Sequence, residues 1–153
     1  MRTLIVAEFI SLDGVIQGPG GPDEDPTGGF RFGGWVAPYA DEATGQDVED
    51  LHSRPFELLL GRRTYDIWAT YWPNVGTDSA GSAIADLFNR VPKYVATHRP
   101  ATLAWQNSHA LQGALADAVR ASSTPGRVLI TRYVRTGEVR TGTFDEVDVP
   151  EET

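Results

Sequence analysis

Apolar positions along the chain fall into short β-like runs that alternate with stretches of helical period. Thr3 to Ile10 is β-branched and apolar throughout, the pattern of a central strand, and it ends in Ser11-Leu12-Asp13-Gly14, whose Asp-Gly pair signals a turn. Val15 to Gln17 resumes the run briefly. Gly18 to Gly34 is rich in Gly and Pro around an acidic knot, Asp23 to Asp25, which is expected to be solvated. A structureless loop of that length is uncommon in a compact domain and is usually a binding loop or disordered. Trp35 follows at once, which predicts that the loop returns to something it covers. Asp41 to Arg54 predicts a helix with Asp41 and Glu42 in its first turn and Val48 and Leu51 facing inward, weakened by Gly45. Leu58 to Leu60 is short enough to be a buried strand. Gly61 breaks it, and Tyr65, Trp68 and Trp72 then recur at helical spacing up to Pro73. In Ser82 to Val91, Ile84, Leu87, Phe88 and Val91 mark one helical face, and Pro92 stops it. Lys93 to Thr97 is a further strand, delivered into His98 and Arg99. Asn107 to Ala121 carries Leu111, Leu115, Ala118 and Val119 in helical register, with Gly113 able to divide it into a short strand and a helix. Arg127 to Val134 alternates like a strand, Thr136-Gly137 turns it, and 145–153 is expected to fray.

Strands alternating with helices imply an α/β sheet covered on both faces. In such sheets ligands bind beyond the carboxyl ends of the strands, where three polar motifs fall: Ser11 to Gly14, Gly61 to Thr64, and Thr97 to Arg99. The second is the most informative. A strand that turns through Gly61 into a helix presents unpaired backbone N–H groups and the positive end of the helix dipole. Arg62, Arg63 and the Thr64 hydroxyl add two cations and a donor at that point. Spacing alone leaves two readings standing, a phosphate site or an ordinary helix start with Thr64 as N-cap and Asp66 favoured in the first turn. Convergence of the three motifs on one rim favours the first, with a nucleotide-like ligand. Asp13 is either a turn-former or a group that orients or protonates a substrate.

Composition narrows the field. The chain has 153 residues, 41% of them hydrophobic, enough for one domain over 1–153 with one core. A net charge of −8 and the lack of a basic stripe argue against nucleic acid and against an anionic membrane surface. No cysteine is present, so disulfides and thiolate chemistry are out. The start of the chain runs straight into a strand-like segment too short for a membrane span or signal peptide, and a cytoplasmic protein is expected. His52, His98 and His109 lack metal-ligand spacing, so no metal is expected. No Gly-x-Ser-x-Gly elbow occurs.

Several ordered stretches are recognisable: Thr-Leu-Ile-Val-Ala-Glu-Phe-Ile-Ser-Leu-Asp-Gly-Val, Gly-Pro-Gly-Gly-Pro-Asp-Glu-Asp, the Gly-Gly-Trp35 step, Leu-Leu-Leu-Gly-Arg-Arg-Thr-Tyr and Pro-Lys-Tyr-Val. Together, over roughly residues 1 to 120, they resemble the dihydrofolate-reductase-like proteins, and more closely the small bacterial proteins related to the reductase domain of riboflavin biosynthesis. The resemblance implies a dihydrofolate-reductase-like three-layer sandwich, a mixed but mostly parallel sheet with helices on both faces. It implies NADPH as cofactor and hydride transfer to a small heterocyclic substrate, pterin- or pyrimidine-like. Residue by residue, Gly61, Arg62, Arg63 and Thr64 would hold cofactor phosphates, and Thr97 with His98 or Arg99 would contact the adenosine 2′-phosphate. Backbone near Phe9 and Ser11, with Trp35, would line the nicotinamide side, and Asp13 would face the substrate. Such proteins continue after the helix near Ala114 to Ala121 with a second Gly-rich strand-to-helix turn. Here the chain passes from Ala121 through Ser122 to Gly126 directly into Arg127. A chain shortened in this way is expected either not to bind NADPH or to rebuild its site across a homodimer. The alternative is a non-catalytic nucleotide-binding or dimerising member.

Overall fold

The structure, a computed structural model, describes residues 4–79, 81–111, 113 and 117. The chain divides into two compact units, one comprising Met1–Ile5 and Arg54–Val128, the other Val6–Ser53 and Leu129–Thr153.

The first unit is built on three parallel strands. The helix of the second unit, Glu42–His52, is α1; in the first unit β1 is Leu58–Gly61, α2 is Arg62–Tyr71, α3 is Ser82–Arg90, β2 is Lys93–Ala96 and β3 is Ser108–Ala110. The sheet order is β1-β2-β3, with Leu60 opposite Val95 and Gly61 opposite Ala96, then Val95 opposite Ala110. Parallel neighbours require crossover connections, and α2 and α3 provide the first. The α/β class is therefore as expected. Leu60 and Val95 project to one face, into a cluster with Tyr65, Phe88 and Trp105. The period seen in the sequence sets this packing: Tyr65 and Trp68 of α2 share a stripe with Trp72, the residue that caps the helix, and Phe88 of α3 stacks on Trp68 at 5.0 Å and meets Trp72 edge-on at 5.0 Å. Burying one such aromatic contributes on the order of 1.5–3 kcal/mol. The Tyr65 hydroxyl accepts the Trp105 backbone N–H at 2.9 Å, so the buried phenol is satisfied.

Lys93, the first residue of β2, is fully buried, at 0% exposure. Its ammonium donates to the Phe88, Val91 and Asn89 carbonyls at 2.6, 2.8 and 3.3 Å, and it lies 4.3 Å from the Trp105 ring centroid. The carbonyls at a helix C-terminus have no intrahelical partner, and a cation there also meets the negative end of the dipole. Lys93 thus closes α3 onto the start of β2.

Of the two readings open for Asn107 to Ala121, a helix throughout or a short strand before Gly113, the described residues take the strand. Asn107 takes φ 58°, and the chain then runs as β3, flanked by the bonds Lys93 N–H to Asn107 O at 2.8 Å and Leu111 N–H to Val95 O at 3.0 Å; Gly113 follows at φ 76°. A partner strand outcompetes helical period here. Two other expectations are corrected. Thr64 is not an N-cap: Gly61 holds that position, and Thr64 lies within α2. Thr3 to Ile10 is not a regular strand among its described residues, which carry an isolated bridge at Val6. Ile5, Val6 and Phe9 stay exposed, and apolar β-formers without a paired ladder gain little from extension.

In the second unit, Gly18 to Gly34 is an ordered Ω-loop whose ends meet. Gly34 N–H donates to the Gly18 carbonyl at 2.8 Å, and the Trp35 indole N–H donates to the Gln17 carbonyl at 2.9 Å. The acidic knot is only partly solvated, a further correction. Glu24 Oε2 accepts the Gly20 and Gly21 N–H groups at 2.5 and 3.3 Å, and Asp25 accepts from Thr27 N–H at 3.2 Å. Short acidic side chains favour such bonds to nearby backbone. Asp41 caps α1 by accepting from Thr44 N–H at 2.7 Å, and Val48 and Leu51 are half-buried. The segments expected as a strand over Arg127 to Val134, the Thr136-Gly137 turn and the 145–153 tail lie outside the described residues.

Burial lowers the Lys93 pKa from 10.5 to about 8. Between those values the unfolded chain keeps a proton that the folded chain gives up, so this group makes stability rise as pH increases from about 8 to about 10.5. Denaturant unfolding of the wild type and Lys93→Met across that window is expected to show the wild type gaining relative to the variant; a flat difference would contradict a buried ammonium.

Candidate functional site

Register places the site. With Gly61 opposite Ala96, β1 and β2 end side by side, so the first turn of α2 stands next to Thr97, His98 and Arg99. Gly61 is the N-cap at φ −69°, ψ 158° and brings no side chain over the helix start. A Cβ added there would meet nothing within 4 Å, so packing does not demand glycine; the residue leaves the backbone donors approachable.

Arg62 ties the two strand ends together. Its Nε donates to both Asp66 carboxylate oxygens at 2.9 and 3.0 Å, and Nη2 lies 2.8 Å from Asp66 Oδ1. Nη1 reaches across to Thr97 Oγ1 at 3.3 Å and the Arg99 carbonyl at 3.0 Å. Its guanidinium also sits 5.6 Å from the Tyr65 ring centroid, within cation–π range. Thr97 Oγ1 accepts the Arg99 N–H at 3.0 Å as well, which leaves the hydroxyl proton able to donate outward. Arg99 Nη2 approaches Asp66 Oδ2 at 3.5 Å. Two arginines therefore face one carboxylate. The Arg62 hydrogen bond holds the Asp66 carboxyl below its ordinary pKa and, reciprocally, raises that of Arg62. Arg63, Thr64 and His98 are exposed on the same rim.

The expected site residues thus separate into two groups. Gly61, Arg62, Arg63, Thr64, Thr97 and Arg99 come together at the carboxyl edge of β1 and β2. Phe9, Ser11, Asp13 and Trp35 belong to the second unit. There Gly14 N–H donates to the Ser11 carbonyl at 3.0 Å with Gly14 at φ 87°, a conformation that suits glycine. The Ser11 hydroxyl donates to Asp13 Oδ1 at 2.5 Å and accepts the Val15 N–H at 2.9 Å. Asp13 therefore has the turn-forming contacts open to it from sequence, and Phe9 is exposed. Trp35 spends its indole N–H on the neck of the Ω-loop.

Two roles in the geometry escaped the sequence reading. Asp66, expected as an acid of the first turn, lies beyond that turn of α2 and pairs with Arg62; the usable signal was their i, i+4 spacing on one helix face. Lys93 had none: a lysine after a helix-stopping proline reads as a surface residue.

The parallel α/β sheet is consistent with the dihydrofolate-reductase-like fold of the family that the chain matches. The family model described as the RibD C-terminal domain matches residues 2–138, and the chain belongs to that family. No curated protein matches the chain. Among the described residues no group of His, Asp and Glu is arranged to hold a metal, and no helix is long and apolar enough to cross a membrane.

Removal of the Arg62 guanidinium is expected to return the Asp66 carboxyl toward the ordinary range. Its lowered pKa means that the pair stabilises the fold at neutral pH and loses that contribution as pH falls through the Asp66 midpoint. An NMR titration of the Asp66 side chain in wild type and Arg62→Ala checks this; identical midpoints would deny the pairing in solution.

Proposed function

We propose that this chain is an NADPH-dependent reductase that takes a cofactor phosphate at the carboxyl edge of β1 and β2 and reduces a small heterocycle of pterin or pyrimidine type. One observation carries the reading. An α2 first turn with no side-chain cap stands beside Arg62, Arg63 and Arg99 and beside the hydroxyls of Thr64 and Thr97. Helix N-terminal N–H groups and guanidinium forks are the donor set that phosphate requires, so the residues present fit the phosphate end of a dinucleotide. Bound NADPH would supply the hydride. The protein's own part is to anchor the phosphates, orient the ring and exclude water.

Within this reading the family match, which crosses both units, favours one domain over 1–153. Phe9, Ser11 and Trp35 are assigned to the nicotinamide side and Asp13 to the substrate. A second reading, a non-catalytic nucleotide-binding or dimerising member, is favoured by the engagement of Asp13 with the Ser11 hydroxyl and of Arg62 with Asp66.

Isothermal titration of the folded protein with NADPH, followed by absorbance of the reduced nicotinamide in the presence of pterin and pyrimidine substrates, separates the readings. Binding with substrate-dependent oxidation supports the reductase; binding without oxidation supports the second reading; no binding of NADPH defeats the first. Arg62→Ala combined with Arg63→Ala is expected to weaken NADPH on the order of tenfold for each arginine that meets phosphate.

A further inference from the structure

The two arginines of the phosphate corner differ in how firmly they are held. Arg62, 19% exposed at its side chain, has anchors beyond Asp66: the Thr97 hydroxyl, the Arg99 carbonyl and the Tyr65 ring. Neutralising Asp66 would leave it in place, and an amide oxygen at that position would still accept from its Nε. Arg99 is 65% exposed, and among the described residues its side chain makes one long contact, 3.5 Å to an Asp66 oxygen that is itself on a carboxylate 46% exposed. A solvated pair at that distance is weak and exchangeable.

We propose that Asp66 sets the cofactor preference of this corner: it is a resident anion that competes with the 2′-phosphate of the cofactor for Arg99. The inference rests on the phosphate-site reading above. Arg62 then acts as a positioning residue that holds the Thr97 loop against α2, while Arg99 is the side chain free to swing from carboxylate to phosphate. The Thr97 hydroxyl, which accepts from Arg62 and from Arg99 N–H, has its proton left to donate to the same phosphate. Asp66 opposes the exchange twice, by occupying Arg99 and by repelling a second anion. Toward NADH it exerts no such penalty, because a carboxylate can accept from a ribose 2′-hydroxyl. Asp66 therefore narrows the margin by which the site prefers the phosphorylated cofactor.

The test is calorimetric titration of wild type, Asp66→Asn and Arg99→Ala with NADPH, NADH and adenosine 2′,5′-bisphosphate, with circular dichroism to confirm folding. Asp66→Asn is expected to bind NADPH and the bisphosphate more tightly by roughly two- to fivefold, the size of one exposed charge interaction, with no gain for NADH. Arg99→Ala, a change at an exposed side chain, is expected to erase the preference for NADPH while sparing NADH. Unchanged or weaker NADPH binding by Asp66→Asn, or an equal gain for NADH, overturns the proposal and leaves the phosphate-site reading intact. If Asp66→Asn does not fold, the Arg99→Ala result decides: a preserved preference for NADPH overturns the proposal. No binding of any of the three ligands to folded wild type overturns both.

Discussion

The parallel pairing of β1 with β2, with Leu60 opposite Val95 and Gly61 opposite Ala96, decides where every cation of the candidate site stands. A slip of one residue would turn Leu60 and Val95 out of the core. It would also move the first turn of α2 away from Thr97, beyond the reach of the Arg62 guanidinium. The register is held from both ends. At the start of β2, the Lys93 ammonium is fixed to the last carbonyls of α3; at its end, Arg62 is bonded to Thr97 and to the Arg99 carbonyl. One lysine, attached to backbone carbonyls, and one arginine, attached to the Asp66 carboxylate as well as to a hydroxyl and a carbonyl, thus frame the strand that carries the site.

Between these ends the aromatic stack does the packing. Trp68, Trp72 and Phe88 fill the space between α2 and α3, while Trp105 lies against the Lys93 ammonium and donates its indole N–H to Asn89 at 2.7 Å. Polar and apolar contacts share the same residues here. A buried charge costs several kcal/mol when unpaired, so Lys93 is tolerable only because α3 ends where its carbonyls converge. Rigidity at the base and exchangeable charge at the rim are complementary features. The rim carries the exposed Arg99 and Asp66 side chains, while at the base the Lys93 ammonium is fully buried.

Much of this was legible in the residues. Leu58 to Gly61 and Lys93 to Ala96 announce themselves as short apolar runs ended by a glycine and by polar residues, and α3 by its spacing of Ile84, Leu87 and Phe88. The glycine-to-arginine turn was visible as a candidate anion site from a strand broken by Gly61 into a helix led by two arginines; that no side chain caps the helix came only with the structure. What was not legible depends on partners distant in sequence. Whether Asn107 to Leu111 runs as strand or helix is decided by the free edge of β2, and the fate of the Thr3 to Ile10 run by whether a ladder forms beside it. The Gly18 to Gly34 loop looked structureless because its order comes from the Glu24 carboxylate and the Trp35 indole bonding to backbone, which leaves no periodic trace. Lys93 was invisible as a buried residue because nothing in composition distinguishes it from a solvated lysine.

Family membership and the donor set of this corner lead to one central claim, that the carboxyl edge of β1 and β2 grips a dinucleotide phosphate. A crystal structure of the protein soaked with NADPH tests it most directly. Density for a phosphate within hydrogen-bond reach of the α2 first-turn N–H groups, with a guanidinium of the rim and the Thr97 hydroxyl beside it, is the predicted result. NADPH bound at any other place, with the Gly61 turn and the Arg62 bridge untouched by ligand, would contradict it.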